Sequence, residues 1–197
     1  MRPAAAARGL GAFLLAVLLL VACNRAEQPY HGVDVSGMDG GGDFTLTAHD
    51  GGPFRPGDLR GKVVLIFFGY THCPDICSPA LLRLARLMDA LGARAEGVQV
   101  LFVTVDPERD SPGQLAGFVP RFHPRFIGLT GSPEEIRRVT AAYRVAYERR
   151  SDRPGMFVHS GSVFVLDGDG RLRLMFRDGM PVAEMAADLK RILAEGA

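Results

Sequence analysis

The sequence carries no excess of charge of either sign. Its formal net charge is +1 over 197 residues, which removes the electrostatic case for a nucleic-acid partner or a polybasic membrane face. It has no repeat of solenoid length and no heptad run, which excludes stacked-repeat and coiled-coil architectures. The apolar stretch from Leu10 to Val21 is about a dozen residues, too short to span a bilayer core comfortably. Cysteine is sparse, at three residues, so a disulfide-dense scaffold is excluded as well. What remains is ordinary globular composition, 47% apolar and 23% charged, in a length that suits one domain plus a leader.

The leader reads as a signal peptide. Arg2 and Arg8 give a positive start, and Leu10 to Val21 suits the apolar region. The segment ends Leu20-Val21-Ala22-Cys23, which resembles the bacterial lipobox. That resemblance implies cleavage before Cys23 and a lipid on its thiol; an uncleaved anchor helix is the alternative. Residues 1–22 are thus expected to leave, taking two Arg and no acid, so the charge falls from +1 to −1. Either reading places the domain outside the cytoplasm, at the membrane, facing the periplasm or exterior. With Cys23 acylated, Cys73 and Cys77 remain as a pair, and an exported pair either forms a disulfide or holds a metal.

Residues 23–42 read as a flexible tether, polar at Asn24–Pro29 and glycine-rich at Gly40-Gly41-Gly42, with the domain expected over 43–197. Phe44–Thr47 alternates like a strand and runs into a turn at His49–Pro53. Val63–Phe68 is a continuous apolar run, as in a central strand buried on both faces. A loop, Gly69–Asp75, leads into an amphipathic helix over about 76–91, with Cys77, Leu81, Leu84, Leu87, Met88 and Leu91 on its apolar stripe. A second buried strand is expected over 98–105. Helices should open at Ser111-Pro112 and, through a capping box, at Ser132-Pro133-Glu134-Glu135. Strands over 162–167 and 171–177 flank Gly168-Asp169-Gly170 as a hairpin, and Pro181 opens a last helix. This order predicts an α/β fold, a thioredoxin-like mixed central sheet with helices on both faces.

The Cys-x-x-x-Cys spacing puts both thiols on or near the first helical turn, on one face. Pro74 holds Cys73 toward an extended backbone at the loop edge. Cys77, in register with the apolar stripe, is the less exposed thiol. Unpaired N–H groups at the helix start favour thiolate, the form that attacks disulfides and binds metals. His159, in Met156–Ser160 just before a strand, either supplies a third ligand across the site or is a hydrogen-bonded structural His. Two thiolates and an imidazole suit Cu(I), or Cu(II) with an added oxygen, and zinc fits the same donors. Asp75 is placed to cap the helix. His72 points away from the helix face, and His31, His49 and His123 read as solvated. Asp106 and Asp110 are either turn and capping residues or contacts to a partner or metal. A peroxidase needs two residues between Thr71 and its Cys, and only His72 stands there.

Phe68-Gly69-Tyr70-Thr71-His72-Cys73-Pro74-Asp75-Ile76-Cys77 resembles the signature loop of the Sco/SenC proteins. Gly61–Leu65, Val105–Asp110 and His159-Ser160 resemble further parts of the family, over about residues 43–195. The resemblance implies a membrane-anchored copper metallochaperone that helps build the CuA centre in subunit II of cytochrome c oxidase. Cys73, Cys77 and His159 would be its copper ligands, and the two cysteines also its redox pair. The alternative is a thiol-disulfide oxidoreductase that reduces the acceptor's cysteine pair, with or without copper. Ser78 departs from the family, which often has Pro there, and this should alter only the helix start.

Overall fold

The computed structural model describes residues 29–38, 40–149, 157–159 and 161–196, with the side chains at 148, 149, 158 and 159 outside that description. The expected lipid site at Cys23 lies outside the described residues. Among those residues no helix is long and apolar enough to cross a membrane.

The centre is an apolar parallel pair. Strand β4 (Val63–Gly69) pairs in parallel with β5 (Val98–Thr104), and β5 in parallel with β6 (Ile127–Thr130). On the other side β4 pairs antiparallel with β9 (Val163–Leu166), then β10 (Leu172–Phe176) and β1 (Val33–Asp34). Beyond β6 the sheet ends in β2 (Leu46–Ala48) and β3 (Pro53–Phe54), giving the order β1-β10-β9-β4-β5-β6-β2-β3. A separate ribbon joins β7 (Tyr147–Arg149) to β8 (Phe157–His159).

Strand alternation divides the core. Val63, Leu65 and Phe67 face helices α1 (Cys77–Leu91), α2 (Pro112–Phe118) and α4 (Val182–Glu195) through Leu81, Leu84, Leu115, Leu189 and Ile192. Val64, Ile66 and Phe68 face helix α3 (Pro133–Ala142) through Ile136 and Val139, with Tyr143 just beyond it. The continuous apolar run of β4 is the consequence of cover on both faces. The thioredoxin-like mixed sheet with helices on both faces is therefore present. Ser111 caps α2 by accepting from Gln114 N–H, and Ser132 with Glu135 closes the capping box of α3.

Two expectations change. The stretch expected to be tether contributes to the fold from Tyr30, which packs against the core: β1 lies on β10, and buried Asp188 accepts from His31 N–H at 3.1 Å and Gly32 N–H at 2.8 Å. Long-range pairing decided this, and a two-residue strand carries no periodic signal of its own. The strand expected over 44–47 is β2, over 46–48, and His49–Gly52 closes its hairpin onto β3.

Candidate functional site

The loop between β4 and α1 leaves the sheet at Gly69. A methyl group there would meet Cys77 Sγ and the Phe102 ring, each at 2.8 Å, so glycine is what lets the sulfur rest against the strand end. Cys77 is the first residue of α1 and has no exposed surface, whereas Cys73 is half-buried on the loop. Cys73 N–H donates to Tyr70 C=O at 3.2 Å, closing the loop into a turn. Helix α1 begins after Ile76, with no side-chain cap, so Asp75 does not cap it.

The thiols meet as a hydrogen-bonded pair. The Cys77 thiol is pushed well above its ordinary range, first because it donates to Cys73 and then because it is buried. The helix N-terminus had suggested easier ionisation. At Cys77 burial and the neighbouring sulfur outweigh it. The outcome is asymmetric: Cys77 is the buried thiol, hard to ionise, and Cys73 the more exposed one.

Around the pair, the β5–α2 loop supplies two buried carboxyls. Asp110 accepts from Thr71 N–H at 2.9 Å, Thr71 Oγ at 2.5 Å and Thr104 Oγ at 2.6 Å. Asp106 pairs with Arg109, whose guanidinium lies over the Tyr70 ring at 5.9 Å. Neither belongs to a metal cluster, and among the described residues no group of three His, Cys, Asp or Glu gathers to hold an ion. They support the loop instead. The sequence drew attention to both through Asp106-Pro107-Glu108-Arg109-Asp110 but left the role open. Tyr70, Thr71 and Thr104 were missed as parts of the site, although Tyr70 and Thr71 stand inside the signature loop.

The other histidines are mostly engaged. His72 Nδ1 lies 2.9 Å from Thr71 Oγ1 and 3.9 Å from Asp110, with the ring half-exposed. His49 Nδ1 accepts from Gly128 N–H at 2.9 Å. His123 stacks on Phe126 and accepts from Arg125 N–H, and burial with Arg125 beside it holds its pKa down. His31 Nδ1 pairs with Asp188 at 3.0 Å, and that hydrogen bond raises its pKa. The reading of these three as solvated holds for the exposed His31, but one ring nitrogen of each is engaged: His31 and His49 fasten distant parts of the chain, and His123 closes a local turn.

The backbone at His159 pairs with Tyr147 in the β7–β8 ribbon; its side chain lies outside the described residues. The ribbon is tied to the cysteine loop two residues earlier. Phe157 N–H donates to Tyr70 Oη at 3.2 Å, and the two rings meet edge-to-face with centroids 5.3 Å apart.

A paired dithiol at a helix start, on a thioredoxin-like sheet, defines a thiol-redox or soft-metal protein of that fold. The SCO1/SenC family model matches residues 35–194. The chain belongs to the SCO1/SenC family. It is 38% identical over 160 residues to the mouse mitochondrial SCO2 homolog, covering 79% of this chain and 63% of that protein's length. Among solved structures it resembles Arabidopsis thaliana ScoI with copper bound, at TM-score 0.73 and 34% identity over 79% of this chain and 98% of that one. It also resembles a SCO1/SenC family lipoprotein from Bacillus anthracis, at TM-score 0.73 and 25% identity over 83% and 99%.

Proposed function

We propose that this protein carries copper on Cys73, Cys77 and His159 and delivers it during assembly of the CuA centre in cytochrome c oxidase subunit II. The observation that carries the reading is the pair of free cysteines at the start of α1, Cys77 buried and Cys73 half-buried on the loop. Two neighbouring thiols suit a soft monovalent cation, and the Arabidopsis relative has copper bound. Buried Cys77 would anchor the ion, and half-buried Cys73 would be the ligand an acceptor displaces. Phe157, two residues before His159 in β8, packs on the cysteine loop, and the SCO1/SenC family match over residues 35–194 supports His159 as the third donor. Tethering at Cys23 by a lipid, facing the periplasm or exterior, fits the family lipoprotein of B. anthracis. Incorporation of labelled fatty acid, lost in Cys23→Ala, tests that anchor.

The carrier reading is tested by loading the reduced protein with Cu(I) and with Cu(II) and counting the metal. One copper per chain is expected, with transfer to a reduced CuA-domain acceptor. No copper retained after desalting, in either oxidation state, contradicts it.

A second reading is favoured by the same asymmetry. As a reductant, the Cys73 thiolate would attack a target disulfide, forming a mixed disulfide and releasing one target thiolate. Cys77 would then attack Cys73, its proton passing to the departing target thiolate, leaving a Cys73–Cys77 disulfide and a fully reduced target. Two electrons pass from the pair to the target. Cys77→Ser should trap the mixed disulfide; absence of any adduct with an oxidised CuA-domain disulfide argues against this role.

A further inference from the structure

Asp110 has no exposed surface, yet the chemistry proposed above gives it no part. Both of its oxygens are engaged. One accepts from Thr71 N–H and Thr104 Oγ, the other from Thr71 Oγ, at 2.5–2.9 Å. Its own N–H donates to Asp106 C=O at 2.9 Å, so the carboxyl cannot move without its loop. The three donors come from two places: the cysteine loop and the last residue of β5. Thr71 stands two residues before Cys73, and Tyr70 C=O accepts from Cys73 N–H. The path from Asp110 to Cys73 is therefore short and made of hydrogen bonds.

A buried carboxyl is expensive, and an apolar residue of similar volume often serves stability as well or better. What a carboxyl offers that an apolar side chain does not is three directed acceptor contacts. We propose that Asp110 is a positioning residue that fixes where Cys73 sits relative to Cys77, setting both the affinity of the pair for Cu(I) and the ease of closing its disulfide. This rests on the reading of the pair as the working group. Asp110 acts here through hydrogen-bond geometry. Thr71→Val, which keeps every charge and loses the Thr71 Oγ contacts to Asp110 and His72, must therefore weaken the same properties as Asp110→Asn.

The test uses the full-length protein in detergent, as wild type, Thr71→Val and Asp110→Asn. Two constants are read: the Cys73–Cys77 disulfide equilibrium against glutathione, and Cu(I) affinity in competition with bicinchoninate. Far-UV circular dichroism at 20 °C (~20 °C being far below the usual mesophile melting range) monitors the fold. Both variants should stay folded. Each should lower Cu(I) affinity by about 10–100-fold, the usual effect of losing an outer-shell partner, and shift the glutathione equilibrium toward dithiol. Folded variants with both constants as in wild type overturn the proposal. So does a change in Asp110→Asn with none in Thr71→Val, since that assigns the effect to charge. If Asp110→Asn does not fold, Thr71→Val decides alone. If wild type binds no Cu(I), the carrier reading fails, while the glutathione equilibrium still decides the role of Asp110.

Discussion

Cys77 and His159 stand on supports of different kinds. Cys77 begins a fifteen-residue helix whose stripe of Leu81, Leu84, Leu87 and Met88 is packed into the main core. Its sulfur rests against the end of β4, in space that only Gly69 leaves open. His159 lies in a three-residue strand that pairs with β7, outside the main sheet. Among the described residues, the ribbon reaches the cysteine loop through Phe157, by one backbone hydrogen bond and a ring contact with Tyr70. The difference teaches how a carrier can both hold and release. The thiol pair is preorganised by the core, whereas the third proposed donor sits on a separate two-stranded ribbon, tied to the cysteine loop among the described residues through Phe157. Removing the donors should therefore have unequal effects.

The largest effect is expected from Cys77→Ala. Copper binding should fall by more than the ~100-fold that losing an outer-shell partner costs, and the pair can no longer close a disulfide. Chelator competition and thiol counting check both. His159→Ala should come next. It should lower copper affinity steeply and leave the glutathione equilibrium of the cysteine pair unchanged, because that half of the site stands without it. Equal damage to both properties would break the comparison.

Tyr70→Phe probes the joint itself. It deprives Phe157 N–H of its phenol acceptor, so a loss of about 1 kcal/mol is expected from the usual value of a hydrogen bond. Urea unfolding measures this, and copper affinity should fall alongside. Unchanged affinity would show that the joint does not position the ribbon.

Smaller effects follow from pH. The Cys77 thiol is raised, so its contribution to stability is fully present below the ordinary thiol pKa, near ~8.5. It is lost as pH climbs above that toward the folded value. The reduced protein should thus weaken on the alkaline side, and Cys77→Ala should not show that slope. His31 is also raised, by its hydrogen bond to Asp188. Its contribution is full below about 6.5 and is lost as pH rises through its folded value. His31→Gln should flatten that slope in thermal melts and leave copper binding unaltered, since it fastens β1 to α4 away from the cysteines.

Much of this architecture was legible because its signals are local. The unbroken apolar run of β4, the stripe of α1, the Ser132–Glu135 box and the Gly168–Gly170 turn each act within a few residues. The spacing of Cys73 and Cys77 likewise fixed their relative exposure. Other features are decided across long separations. Strand β1 is only two residues, and its place depends on β10. The ribbon strands β7 and β8 are three residues each and gain their order from one another. Asp110 lies 39 positions from Thr71, and nothing in its immediate neighbours says that its carboxyl supports the cysteine loop. The thiol balance at Cys77 was misjudged for the same reason. A helix start is visible in sequence, whereas a buried sulfur facing another sulfur is a tertiary fact.

The most direct test of the copper site is X-ray absorption at the copper edge on the Cu(I)-loaded protein, wild type against His159→Ala. The account predicts two sulfur donors and one nitrogen in wild type, with the nitrogen lost and both sulfurs kept in the variant. A wild-type spectrum without nitrogen, or one that His159→Ala leaves unchanged, would contradict it.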